Sequence, residues 1–238
     1  MNVFDIIISI FLVMSGIVGF KKGAIKGVVN LIGMIAIFYI AYLFKGIVGD
    51  FLCVNLPFFE MFGNFKDIDI LNVFLYQLIG FLVVFGVLYS VFAIILNITG
   101  VIQKIVDYTI ILTLPSKIIG IIIGLLEGYL VLFIIFLVAS VPFENALIYR
   151  ESEFINKILY ETPILSSSTE DITKSTKEIL NLAKELQNNE KNKEQVTIET
   201  ADIMLKYNIV SSKVLEKVYQ KDKLGDIPGL QEKINEYK

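Results

Sequence analysis

The chain contains no histidine and no tryptophan, and it has one cysteine among its 238 residues. Without histidine it cannot form a histidine-based catalytic triad, a histidine general base or the common histidine-containing zinc sites. A single cysteine excludes an internal disulfide. The sequence also shows no phosphate-binding loop, nucleophile–base pair or cluster of metal ligands. We therefore expect no enzymatic activity, no metal and no cofactor.

Charged residues are scarce in the N-terminal part of the chain. Residues 1–143 carry seven lysines and seven acidic residues, whereas residues 144–238 carry 14 Lys or Arg and 17 Asp or Glu. The mean hydropathy is +0.70 and 55% of the residues are hydrophobic. A water-soluble domain needs a more polar exterior than residues 1–143 can supply. Lipid is therefore the expected solvent of the first part and water that of the second, and neither part is basic enough to indicate nucleic-acid binding.

Four apolar segments are long enough to cross a bilayer, whose hydrocarbon core needs about 20 helical residues. The predicted spans are residues 3–20, 27–44, 72–98 and 118–143. Two shorter apolar stretches, residues 51–65 and 108–114, are predicted to lie along the membrane rather than cross it.

The rest of the chain is predicted to be a connector, residues 144–165, followed by a soluble helical tail, residues 166–238. The tail shows helical patterns at residues 169–187, 197–207, 212–220 and 230–237. The predicted fold class is thus all-α: a polytopic membrane protein with four transmembrane helices in residues 1–143 and a helical tail. Since so small a bundle is only marginally stable alone, we expect it to rest on the preceding helix, the membrane or a partner protein.

Orientation follows from the lysines in the short loops. Lys21, Lys22 and Lys26 form the densest basic cluster and follow the first span. Such clusters stay in the cytoplasm. With four spans, both termini are then predicted to lie outside the cytoplasm.

Small residues recur every fourth position in two places, around the first loop and in the fourth span. They are Ser15, Gly19, Gly23 and Gly27, then Gly120, Gly124 and Gly128. Small residues let helix backbones approach closely in lipid. The pattern has two interpretations: a seam for a dimer or channel lining, or packing within the four-helix unit.

Glu127 is the only charged residue inside the fourth predicted span. It lies about 14 Å from the start of that span at 1.5 Å per residue. Intramembrane carboxylates mark ion or proton pathways by default, although a hydrogen-bonded structural carboxylic acid is the alternative. The antiparallel alignment of the spans places Ser15, Tyr39, Tyr89 and Ser90 at a similar depth. No second buried charge is expected, which weakens the transport interpretation.

Three segments resemble the CvpA family, the colicin V production proteins. Residues 19–31, GFKKGAIKGVVNL, resemble its Gly–basic–Gly turn after an Asp-led first helix, and Asp5 and Ala41 fall where that pattern expects them. Leu114-Pro115 through Gly128 resembles the segment that opens helix 4, and residues 152–165 the stretch after it. The resemblance covers about residues 1–165. The chain departs from it at Glu127, often basic in the family, and at Gly27, often acidic.

The resemblance implies a four-helix protein of the bacterial cytoplasmic membrane, linked to colicin V toxin production or export. Our first hypothesis is a membrane scaffold or accessory protein that acts in toxin production, secretion or envelope maintenance and presents its tail to a protein partner. The second is a small transporter or channel with Glu127 and the helix 4 glycines along the path. The bilayer is the expected environment, a homo-oligomer is an open alternative, and no nucleic acid is expected.

Overall fold

The computed structural model describes residues 3–61, 65–98, 113–143, 152–160 and 170–238. The described residues form helices and no strand, which confirms the predicted all-α fold. In chain order the helices are α1 (Val3–Lys22), α2 (Ala24–Asn55), α3 (Leu71–Ile98), α4 (Thr113–Phe143), α5 (Glu153–Tyr160), α6 (Glu170–Gln187), α7 (Lys193–Lys206), α8 (Ser212–Gln220) and α9 (Leu230–Asn235).

Within the described residues, α1 to α4 are the helices long and apolar enough to cross a membrane. Their outward surfaces carry many large apolar side chains, of which Val3 is 69% exposed. In α3, only 11% of the most apolar 18-residue stretch is buried inside the structure. Soluble proteins do not leave contiguous apolar surfaces of this extent in water, so hydrocarbon solvates them. The protein is a multi-pass membrane protein, as its composition predicts.

Helix α2 runs 11 residues past its predicted end at Phe44, to Asn55. The predicted span ends before Lys45 because that residue is charged. In the structure, however, the charged residues Lys45 and Asp50 have partners. The Lys45 ammonium lies 4.3 Å from the centre of the Tyr42 ring, and Asp50 accepts a 2.6 Å hydrogen bond from the Gln77 side chain of α3. The predicted membrane-surface stretch at residues 51–65 is therefore wrong for residues 51–55. Of the other stretch, 108–112 lie outside the described residues and 113–114 open α4.

A single residue, Gly23, separates α1 from α2. Its φ of 75° lies in the left-handed region that glycine adopts without strain. Its N–H donates to the Gly19 carbonyl at 2.9 Å, which closes the end of α1. The next N–H, that of Ala24, donates to the Ser116 hydroxyl of α4 at 3.1 Å. The predicted basic loop is thus a tight corner whose lysines lie on the two helix ends.

The chain divides into two compact units. The first comprises Met1–Ile40 and Phe85–Ser166, and the second comprises Ala41–Val84 and Ser167–Lys238. In the first unit α1 packs along α4, and α5 packs on both. Helix α5 lies inside the predicted connector, and the Ser152 hydroxyl just before it donates to the Asp5 carboxylate of α1 at 2.6 Å.

In the second unit, helices α6 to α9 enclose a small apolar core. Leu215, Leu230 and Ile234 are fully buried in it. Helix α7 begins four residues before its predicted start because Asn192 and Gln195 form a capping box there. Asn192 accepts from the Gln195 N–H at 2.9 Å, and the Gln195 side chain accepts from the Asn192 N–H at 3.1 Å.

A polar cleft as the candidate functional site

The two runs of small residues meet at the crossing of α1 and α4. A methyl group on Gly19 would overlap the Gly120 carbonyl oxygen and lie 2.7 Å from the Gly124 Cα. One on Gly128 would lie 2.6 Å from the Ser15 Cβ. Backbones this close gain dispersion contacts that bulky side chains would prevent. Gly23, at the corner, lies next to Gly120 in the same crossing. The structure thus brings both runs together within one chain.

A cleft of about 290 Å³ lies beside this crossing, between the described parts of α1, α2, α3 and α4 that belong to the first unit. Most of its surface is apolar and includes Met14, Met34 and Val131. Its polar lining includes Lys22 from the end of α1 and Glu127 from α4. Apolar walls around a few convergent polar groups are typical of ligand sites.

Lys22 and Glu127 form an ion pair, with Nζ 2.8 Å from Oε2. Side chains on a helix tilt toward its N-terminus. Because α1 and α4 are antiparallel, Lys22 points back along α1 while Glu127 points back along α4, and the two charged groups approach each other. Lys22 itself is half-buried; the prediction of no second buried charge is wrong at Asp5 of α1, which is 3% exposed. In the sequence Lys22 stands out only as a member of the basic topology cluster, whose other members, Lys21 and Lys26, are exposed.

The second oxygen of Glu127 has no hydrogen-bond partner among the described residues. Glu127 is 8% exposed, and Oε1 is a buried atom without a donor. Burying a charge is costly unless it is paired and hydrogen-bonded. Lys22 offsets the charge through Oε2 but leaves Oε1 unsatisfied. The cleft thus contains a buried acceptor that needs a donor.

The other residues predicted at this depth divide between cleft and surface. Ser15 and Tyr89 line the cleft, and the Ser15 hydroxyl donates to the Phe11 carbonyl at 2.9 Å. Tyr39 is exposed, and so is Ser90, whose hydroxyl donates to the Gly86 carbonyl at 2.7 Å. Asn30 of α2 also lines the cleft. Asn30 does not stand out in the sequence, because a single amide near the end of an apolar segment is an ordinary helix-end residue.

The second unit has a polar cluster of its own, where the tail meets the C-terminus of α2. The Lys223 ammonium donates to the carbonyls of Cys53 at 2.7 Å and Leu56 at 2.6 Å, and Lys221 donates to that of Val54 at 3.2 Å. The last carbonyls of a helix have no partner within it and carry partial negative charge, so cations stabilise them. Burial lowers the pKa of Lys223, and the neighbouring Lys221 adds to this effect.

The loop between α2 and α3 is held by hydrogen bonds from α3 and by an ion pair from the tail. The buried Asn72 side chain accepts from the Phe59 N–H at 3.2 Å and donates to the Phe59 carbonyl at 3.0 Å. Tyr76 donates to the Pro57 carbonyl at 2.6 Å. From the tail, Lys193 binds the Asp69 carboxylate at 2.8 Å. The tail therefore packs at a defined position against the end of α2 and this loop, and we call these contacts the seat of the tail.

Comparison with known proteins assigns the first part of the chain. A sequence model of the colicin V production protein family matches residues 4–163, which is more than half of the chain. No curated protein and no solved structure matches significantly. The matched region contains α1 to α5, the glycine crossing and the Lys22–Glu127 pair. The resemblance inferred from the sequence is thereby confirmed, and the chain belongs to the colicin V production protein family.

Proposed function

We propose that the chain is a membrane accessory protein whose folded tail is presented to a protein partner at one face of the bilayer. The observation that carries this proposal is the seat of the tail in the second unit. Lys223, Lys221 and Lys193 bind the end of α2 and the loop before α3. A tail held in this way has a fixed surface, which favours recognition because less conformational entropy is lost on binding.

The surface of the tail supports a polar mode of recognition. Among its described large hydrophobic residues, Tyr237 alone is exposed by more than a third, at 38%. Apart from Pro228 and two glycines, the remaining exposed residues among those described are charged or polar. Partner binding through such a surface is electrostatic, so it weakens as salt rises.

The setting of this function follows from the family and from the lysine pattern. We place the protein in the bacterial cytoplasmic membrane with its tail and both termini outside the cytoplasm, because Lys21, Lys22 and Lys26 mark the cytoplasmic side. The process served is toxin production or export, or envelope maintenance. The family description, colicin V production protein, supports this assignment.

Complementation of a deletion strain tests the proposal. A chain with Lys213→Glu and Lys217→Glu, both on the exposed face of α8, should insert normally but fail to restore toxin export or detergent resistance. The matched control, with Lys213→Gln and Lys217→Gln, should retain much of both. The tail should crosslink to one reproducible partner in the wild type and less in the Glu variant. Full complementation by a chain ending at residue 165 would contradict the proposal.

The polar cleft favours a second candidate function, a small transporter or channel that uses Glu127. An ion pair beside an unsatisfied carboxylate oxygen is an arrangement that proton and solute pathways use. Purified protein in liposomes should then show proton or solute flux that Glu127→Gln abolishes and Lys26→Gln leaves intact. Equal flux in empty liposomes and in those containing the protein would reject this candidate.

A further inference from the structure

We propose that the cleft of the first unit binds a zwitterion in which a primary ammonium group lies a few bonds from a phosphate. The ammonium would donate to Glu127 Oε1 and the phosphate would accept from Lys22. This chemistry is found in the headgroup of an aminophospholipid and in free phosphoethanolamine. The inference rests on the cleft alone and is independent of the partner proposed for the tail.

The first requirement comes from Glu127. An ionised carboxylate has only acceptor positions, and Oε1 is buried without a donor among the described residues. The ligand must therefore bring an N–H or O–H group. A primary ammonium meets this need best, because hydrogen bonds between two charged groups are roughly twice as strong as neutral ones.

The second requirement comes from Lys22. Its ammonium has three N–H donors, of which one is directed to Glu127 Oε2 at 2.8 Å. The side chain is 28% exposed and lines the cleft, so its remaining donors can reach a ligand there. An anionic oxygen group beside the ammonium of the ligand satisfies them.

Charge balance selects a zwitterion over a simple ion. Lys22 and Glu127 cancel each other, so a lone cation or anion would add a net charge to a mostly apolar cleft, which is costly. The phosphodiester headgroup of an aminophospholipid has one charge of each sign and adds none, whereas free phosphoethanolamine, with a second phosphate pKa of about 6, adds a partial negative charge. Asn30 and Tyr89 at the cleft wall supply further polar groups, and the Met and Val side chains accommodate carbon atoms. The volume, about 290 Å³, lies near the lower end of ligand pockets and suits a headgroup.

Choline compounds provide a chemical control, because their quaternary ammonium carries the same charge but has no N–H. Full-length protein in detergent would be titrated with phosphatidylethanolamine and phosphatidylcholine of identical acyl chains, and separately with phosphoethanolamine and phosphocholine. Native mass spectrometry would count the bound molecules. We expect about tenfold tighter binding of the ethanolamine compound in at least one pair, the loss expected for one charge-assisted hydrogen bond. Preference in the lipid pair identifies a headgroup ligand, and preference only in the free pair identifies a soluble one.

Two variants should affect binding in different ways. Glu127→Gln removes the charged acceptor but frees Lys22 for phosphate, so the ethanolamine-to-choline ratio should fall to near one. Lys22→Gln removes the phosphate contact that both ligands share, so both affinities should fall while the ratio stays well above one. Lys26→Gln, at an exposed position on the same corner, should leave both affinities unchanged.

Equal binding of ethanolamine and choline compounds by the wild-type protein would overturn the inference, and so would binding of neither. These outcomes need no variant to fold. Selectivity that survives Glu127→Gln would also overturn it. None of these results affects the proposed role of the tail, whose test measures complementation by changes in α8.

Discussion

The ion pair between Lys22 and Glu127 consists of two charges in unequal surroundings. Glu127 is 8% exposed, and it lies along α4 beyond Gly120 and Gly124, away from either helix end. Lys22 is the last residue of α1, and its long side chain can swing toward the membrane surface. Glu127 therefore needs the ion pair more than Lys22 does, because without it the buried carboxylate has no compensating charge, whereas the lysine ammonium can be solvated at the membrane surface.

Removing each partner in turn should expose this inequality. Lys22→Met leaves a buried carboxylate unpaired and should lower the stability by about 2 kcal/mol, less than the 3–5 kcal/mol typical of fully buried pairs. Glu127→Gln should cost less than about 1 kcal/mol, because Lys22 can reach the interface. In thermal unfolding in detergent, Lys22→Met should lower Tm by about 4–8 °C relative to wild type. A larger loss for Glu127→Gln than for Lys22→Met would contradict this view of the pair.

The sequence points to Glu127 but not to its partner, for a physical reason. A charge inside an apolar segment is conspicuous, because lipid cannot solvate it. A lysine at a helix end is expected at the interface in any membrane protein, so Lys22 stood out only as a topology signal. That its ammonium reaches Glu127 follows from the tilt of both side chains in antiparallel helices, and this pairing requires the register of α1 against α4. The amino-acid sequence alone does not show that register.

The crossing of α1 and α4 depends on the absence of side chains. At Gly124, a Cβ would lie 2.7 Å from the Gly19 Cα. Gly86 in α3 has nothing within 4 Å of the same position. Since both glycines lie within apolar helices, they form a matched pair.

Gly124→Ala should therefore separate α1 from α4 and lower the stability by about 1–3 kcal/mol, the usual cost of overpacking. Gly86→Ala should be neutral or slightly stabilising, because alanine favours the helix by about 1 kcal/mol over glycine. Thermal unfolding in the same detergent would compare them. Equal effects of the two substitutions would mean that the close crossing does not exist.

The attachment of the tail to α2 should depend on Lys223. Lys223→Met removes two hydrogen bonds to the carbonyls of Cys53 and Leu56, and hydrogen bonds to charged groups contribute about 1.5–3 kcal/mol each before other losses. Burial of the ammonium offsets part of this gain. We expect the loop before α3 to become about tenfold more sensitive to limited proteolysis. Lys213→Met, at an exposed position of α8, is the control and should change nothing; an equally stable loop in both variants would refute the role of Lys223.

Alkaline pH should loosen the tail, because several of its groups hold their protons more tightly when folded. The hydrogen bond from Tyr207 to Glu178, 2.5 Å long, raises the pKa of Tyr207 above 10.0. Glu199 and then Glu185 raise the pKa of Lys191 above 10.5. A raised pKa contributes stability that is complete below the unfolded value and is lost as pH rises through the folded one.

The tail should consequently lose protection from proteolysis as pH rises above about 10. Tyr207→Phe should remove part of this dependence. Tyr219→Phe, whose hydroxyl makes a long 3.4 Å contact with Asp226, should not. The opposite pH trend would contradict the assignment; Lys223, whose pKa is lowered by burial, acts in that opposite sense.

Helix boundaries could be predicted where the local sequence pattern sets them, but not where contacts with other helices set them. Leu71 and Ser212, the first residues of α3 and α8, lie within one residue of their predicted positions because apolar periodicity begins there. The end of α2 was misplaced because Lys45 and Asp50 are accommodated by Tyr42 and by Gln77 of α3. Contacts of this kind depend on tertiary packing. Spacing along one helix carries no information about them.

The division of the molecule into a lipid-solvated part and a water-solvated tail was readable from charge density alone. A membrane-spanning region needs long apolar segments with few charges, which soluble folds do not need, so the sequence identifies residues 1–143 as the membrane part. The seat of the tail was not readable, because the lysines that form it resemble any lysines on a solvated surface. Within the second unit they fix the tail to the loop between α2 and α3. We predict that this loop and the tail lie on one face of the membrane, and the lysine pattern predicts the opposite face for Lys21.

Labelling of single cysteines in intact cells tests this arrangement, since the chain has one native cysteine that Cys53→Ala removes. A membrane-impermeant maleimide should label Lys66→Cys in the α2–α3 loop and Lys213→Cys in the tail. Lys21→Cys should react only after permeabilisation. Four spans with an outward tail predict this pattern. Labelling of Lys66→Cys and Lys213→Cys from opposite sides, or of Lys21→Cys from the same side as either, would contradict it.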